Sequence, residues 1–101
     1  MKYIEYGLKQ NKTIMLLHGG GLAPWNYSEE AEQLQDRYHI IIPILDGHSG
    51  SDKNFTTIEN NGDEIIAYID QNLNGKVFMI CGLSLGGQIL TDILAKRKDI
   101  C

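Results

Sequence analysis

The chain has 101 residues, room for one small domain, and its 43% apolar and 22% charged composition is that of an ordinary folded globular protein rather than a disordered one. A formal charge of −4 sets nucleic acid aside as a main partner, because phosphate binding draws on clustered Lys and Arg. The one basic cluster, Lys96-Arg97-Lys98, ends a helix-like run, where cations suit the helix dipole.

The N-terminal "MKYIEYGLKQ" lacks the apolar centre of a secretory leader, and Glu5 interrupts it early. No apolar run reaches the length that crosses a bilayer, so no membrane partner is expected. Cys81, inside an apolar run, and Cys101, at the last position, make no disulfide framework and fit a reducing cytoplasm, which is the expected location.

In chain order, Tyr3–Tyr6 alternates weakly as a short strand. "TIMLL", 13–17, is continuously apolar or β-branched, the pattern of a strand buried on both faces. "HGGGLAP" breaks the chain. Asn26 and Glu29 have capping-box spacing and predict a helix to about Gln35, with Ala31 and Leu34 on its apolar side. "YHIIIPIL", 38–45, predicts a second buried strand with Pro43 near its end, and "DGHSGSDKN" a polar loop. Thr56 and Glu59 repeat the capping-box spacing ahead of a helix to about Asn72, with Ile58, Ile65, Ile66, Ile69 and Leu73 at helical period. Asn74-Gly75 marks a turn. "KVFMIC", 76–81, predicts a third buried strand, and Ile89, Leu90, Ile93 and Leu94 give one face of a closing helix. Strands alternating with helices, three of them continuously apolar, predict an α/β fold: a mostly parallel sheet of about four strands with helices on both faces, in one domain spanning 1–101.

Two motifs carry chemistry. "GLSLG", Gly82 to Gly86, matches Gly-x-Ser-x-Gly, a pattern that chance places in roughly a few per cent of chains this long. Its setting at a strand-to-helix junction is that of a nucleophile elbow, in which a sharp turn lifts the Ser84 hydroxyl above the carboxyl ends of the strands. Gly82 and Gly86 fall where neighbouring backbone comes close, and Gly87 adds room. The alternative is a serine N-cap with glycines for tight packing. The second motif, "HGGG", His18 to Gly21, follows the first buried strand. Its glycines leave backbone N–H groups open to an incoming oxygen. An oxyanion hole would use the Leu85 amide, the residue after the serine, with Gly20 as first choice for the second donor and Gly21 next. Gly19 supports that loop, and His18 is expected to brace it by hydrogen bonding. A dinucleotide cradle would need a third glycine at position 24, where Pro24 stands, and no Walker A spacing is present.

On these motifs the chain resembles the N-terminal part of the α/β-hydrolase superfamily, and looks most like its small serine esterases and acyl hydrolases. The resemblance covers essentially the whole chain. It implies a small-molecule acyl substrate and no cofactor or metal. "LDGHSGSD", 45–52, is similar to the loop those enzymes carry after the next strand, although Ser49 displaces its second glycine. A metal set of Asp46, His48 and Asp52 is the alternative for that loop, at a spacing that matches no standard site. In the resembling family the triad runs Ser, then Asp or Glu, then His. Here His18, His39 and His48 all precede Ser84, and Asp92 and Asp99 fall in or just after the last helix. The sequence is therefore read as part of a longer hydrolase, inactive by itself, with a truncated product that must pair as the alternative. The uncovered edge of strand 76–81 leaves self-association open. A non-catalytic small-ligand module on the same scaffold is the competing function.

Overall fold

The computed structural model describes residues 1–21, 24–48, 50–51 and 53–101. Strands β1 (Lys2–Tyr6), β2 (Thr13–Leu17), β3 (His39–Ile44) and β4 (Met79–Gly82) form one sheet in the order β1-β3-β2-β4. β2 pairs in parallel with β3 and with β4, whereas β1 runs antiparallel to β3 with Lys2 opposite Ile44. Helices α1 (Ser28–Leu34, preceded by a 3-10 turn at Pro24–Tyr27), α2 (Ile58–Asn72) and α3 (Leu85–Lys96) connect and follow the strands.

The unbroken apolar runs of β2 and β3 arise because both faces of the sheet are covered. On one face Met15, Leu17 and Ile41 pack with Ile65 and Ile69 of α2 and Ile89 and Ile93 of α3. On the other, Ile14, Leu16, Ile40 and Ile42 pack with Ala31 and Leu34 of α1. Side chains alternate across a strand, so both parities of β2 and β3 must be apolar. Pro43, which has no N–H to donate, lies beyond the β2–β3 pairing, which ends at Ile41, and stands opposite Tyr3 in the antiparallel pairing with β1.

Three local expectations are corrected. β4 covers 79–82 rather than 76–81, and of its residues only Ile80 is buried. It lies at the sheet edge with β2 as its one partner, so an apolar run meant for two neighbours stays half exposed, with Met79 43% accessible. Residues 77 and 78 are held by other means: the Val77 amide donates to the Ile100 carbonyl at 2.8 Å and the Phe78 amide to Thr13 at 3.0 Å. The cap of α2 is Thr57, whose hydroxyl accepts from the Asn60 amide at 2.9 Å; Thr56 instead takes the Asn60 side chain. Helix α1 starts after Tyr27 without a side-chain cap, so the Asn26 capping box does not open it.

Ile41 is fully buried where β3 meets α2, so Ile41→Ala should cost about 2–5 kcal/mol of stability with an unchanged fold, read from urea unfolding.

Candidate active site

The segments that follow β2, β3 and β4 leave the same end of the sheet, the carboxyl end of its parallel strands, where α/β folds build their sites. The turn after β4 is the sharpest. Ser84 has φ +54° and ψ −111°, a left-handed conformation that a residue with a Cβ enters only under constraint, at a cost on the order of 1–3 kcal/mol. Three backbone hydrogen bonds impose it: Leu83 N–H to Leu17 carbonyl at 3.1 Å, Gly86 N–H to Leu83 at 2.9 Å, and Gln88 N–H to Ser84 at 3.0 Å. Ser84 occupies the N-cap position of α3, yet its side chain caps nothing and is exposed. A serine kept only to cap the helix would spend its hydroxyl on a first-turn amide, so capping does not account for this residue.

The two flanking glycines are sterically obligatory. A Cβ on Gly82 would lie 2.5 Å from the Gly86 oxygen and 2.7 Å from the Gly87 nitrogen. One on Gly86 would strike the Leu17 carbonyl oxygen and come within 2.7 Å of that of His18. Gly87 has room, its nearest neighbour being the Gly82 oxygen at 3.4 Å.

The loop after β2 faces this turn. A Cβ on Gly20 would sit 3.6 Å from that of Leu85, so Gly20 lies in contact distance of the residue after the serine. As a first-turn residue, Leu85 has no carbonyl within its own helix for its amide. Gly21 departs from expectation. Its amide donates to His48 Nε2 at 3.1 Å, so the second choice for the loop's donor is already engaged. Gly19 contributes its carbonyl, which lies 3.0 Å from His18 Nδ1. Since His18 Nε2 accepts from the Leu45 amide at 3.2 Å, Nδ1 must carry the proton and donate to Gly19. His18, fully buried, thus ties the start of its loop to the end of β3, and burial is the first cause that lowers its pKa. Tyr27 packs against the α1-side core and donates to the Leu17 carbonyl at 3.2 Å, while Trp25 is exposed.

His48 and Asp46 come from the loop after β3. Ser49 and Asp52 lie outside the described residues. His48 Nδ1 bonds the Asp46 carbonyl at 3.1 Å, and the His18 and His48 rings meet edge to face with centroids 4.9 Å apart. The Asp46 carboxyl faces Glu64 of α2. Asp46 Oδ1 and Glu64 Oε2 are both buried without a donor, which two carboxylates tolerate only by sharing a proton. Burial first, then Glu64, raises the Asp46 pKa to about 6. Burial acts upward on Glu64 as well, but the Asp46 side chain, Lys53 and the N-terminal amine hold it low. Among the described residues no three His, Cys, Asp or Glu side chains form a metal-binding group, and Asp52 of the alternative metal set lies outside them.

His39 lies at the other end of the sheet, with Nε2 2.7 Å from Glu5 Oε2 and Nδ1 3.0 Å from the Thr13 hydroxyl. Both ring nitrogens of each histidine are thus hydrogen-bonded. Two contributors escaped the sequence reading. Asn61, fully buried, accepts the Asp46 amide at 3.2 Å and donates to the Thr57 carbonyl; a polar residue one turn from Ile65 on an apolar helix face was the available signal. Glu64 gave no such signal.

The alpha/beta hydrolase fold family model matches residues 12–101. The chain belongs to the α/β-hydrolase family. It is 32% identical over 84 residues to a pimeloyl-[acyl-carrier protein] methyl ester esterase from Aromatoleum aromaticum, covering 83% of this chain and 31% of that protein. It superposes on a thermophilic esterase from Thermogutta terrifontis with a TM-score of 0.87 and 25% identity over 98% of this chain and 36% of that one. A Desulfitobacterium hafniense protein assigned to the same family gives a TM-score of 0.88 at 23% identity, covering 97% and 40%, which shows the shared fold. The chain thus spans about a third of these relatives' lengths. Among the described residues no helix is long and apolar enough to cross a membrane.

Two outcomes follow from this geometry. Gly86→Ala should cost at least about 2 kcal/mol by urea unfolding, whereas Gly87→Ala should stay within about 1 kcal/mol. Between pH 3.8, where an unfolded Asp titrates, and about 6, the folded chain binds a proton at Asp46 that the unfolded chain has lost, so this group's stabilisation is lost as pH rises through that window. Asp46→Asn keeps a donor toward Glu64 at every pH. It should match the parent near pH 4 and exceed it by about 1–3 kcal/mol at pH 8 in urea midpoints. His18 acts in the opposite sense: its lowered pKa costs stability as pH falls below 6.5 in both proteins.

Proposed function

We propose that the protein is a serine hydrolase of carboxylic esters or thioesters, with Ser84 as nucleophile and the Leu85 and Gly20 amides as oxyanion donors. The observation that carries this reading is the conformation of Ser84: strained, exposed, spared from capping, and framed by two glycines that no other residue could replace. Strain of this kind is kept where a function requires the geometry. Esters are favoured as the substrate class because two of the proteins this chain is similar to are named esterases.

In this mechanism the Ser84 oxygen attacks the acyl carbon while a general base takes its proton. The carbonyl oxygen becomes an oxyanion held by the two amides, and the alcohol or thiol departs with the proton. Water then repeats the sequence on the acyl-enzyme to release the acid. The base is not His18, His39 or His48, whose ring nitrogens are all engaged. A histidine and its orienting acid from polypeptide outside these 101 residues complete the site. The exposed thiols of Cys81 and Cys101 fit a cytoplasmic setting.

A fluorophosphonate probe should label the complete enzyme at Ser84, and Ser84→Ala should abolish both labelling and at least a thousandfold of ester turnover. An unlabelled Ser84 in an ester-hydrolysing protein would remove this role, and an intact protein that binds acyl compounds without turnover would favour a ligand-binding module.

A further inference from the structure

We propose that His48 is a positioning residue for the loop after β2: by accepting the Gly21 amide and donating to the Asp46 carbonyl, it sets the Gly20 amide toward Ser84. The inference rests on the role assigned to Ser84 above. Three consecutive glycines, 19–21, have no side chains with which to anchor themselves, and holding each in one conformation costs backbone entropy. The start of the loop is tied down by His18. Its far end is tied by the bond from Gly21 N–H to His48 Nε2, at 3.1 Å across 27 residues of sequence. Gly20 lies between these two ties.

The brace has a defined polarity. The Asp46 carbonyl can only accept, so His48 Nδ1 carries a hydrogen, and Nε2 is left as the acceptor that Gly21 requires. The tautomer is thereby chosen by the backbone of β3's exit. That exit is itself anchored, because the Asp46 amide donates to Asn61 of α2 and its carboxyl meets Glu64. Glu64 is in turn faced by Lys53 at 2.5 Å and the N-terminal amine at 3.7 Å, with the Tyr3 hydroxyl on the Glu64 carbonyl at 3.5 Å. A chain of contacts therefore runs from helix α2 through residue 46 and the imidazole to the glycine loop. Misplacing a catalytic group by about 1 Å costs on the order of a hundredfold in rate, so loss of this tie should be felt in kcat rather than in substrate binding.

Two measurements test it. In the ¹⁵N-labelled protein a coupling across the hydrogen bond should connect the Gly21 amide nitrogen with His48 Nε2. In the complete enzyme His48→Leu should lower kcat about 10- to 100-fold, with KM within about twofold. Gln places an acceptor oxygen close to where Nε2 stood, so His48→Gln should recover kcat to within about threefold of the parent, even where both variants lose the same thermal stability. Absence of the coupling overturns the proposal, as does a Leu variant of unchanged kcat or an equal fall in both variants. Each of those results leaves Ser84 as nucleophile so long as Ser84→Ala is inactive. An active Ser84→Ala enzyme would remove the positioning role together with the reading it rests on, whatever the coupling shows.

Discussion

The contact on which the site depends is between two pieces of backbone: the carbonyl of Leu17, at the end of β2, and the first turn of α3. The Leu17 oxygen accepts from the Leu83 amide and the Tyr27 hydroxyl, and Gly86 lies so close that a methyl group would strike that oxygen. This approach is what obliges the chain to reverse within Gly82–Gly86, and the reversal leaves Ser84 with a positive φ. The strain at position 84 is thus offset by packing elsewhere, in the fully buried Leu17, Ile89 and Ile93 that hold strand and helix together.

Around that turn the fold separates support from chemistry. His18 and His48 look like candidate acid–base groups in a list of residues, yet both are spent as crosslinks between loops, each with one nitrogen donating and the other accepting. The Asp46–Glu64 pair is similarly inward-looking. What remains outward is the Ser84 side chain, a hydroxyl that is a weak nucleophile without an adjacent base.

Much of this was legible in the sequence because it is written in local patterns. Strands β2 and β3 show as unbroken apolar runs, α2 and α3 as helical periods, and Gly-x-Ser-x-Gly at a strand–helix junction located the sharp turn at Ser84. The misreadings share a physical cause. The open edge of the 76–81 run was legible, but not that residues 76–78 stay out of the ladder and that only Ile80 of the strand is buried, because an apolar run does not say where pairing begins. Thr56 and Thr57 offer the same hydroxyl, and only the extended backbone of Thr57 selects the cap. The hold of His48 on Gly21 joins residues 27 apart through a tautomer chosen by a third, and no spacing rule encodes it.

The exposed flank of β4 also bears on when such a site could work. Ile14 lies opposite Met79 and Leu17 opposite Gly82, so β2 and β4 advance together toward the Ser84 turn. Any further strand laid in parallel along the open flank would advance the same way and finish at the level of the hydroxyl. A strand added on that flank would cover the sheet's exposed edge and bring its own carboxyl end beside the Ser84 turn in a single assembly step.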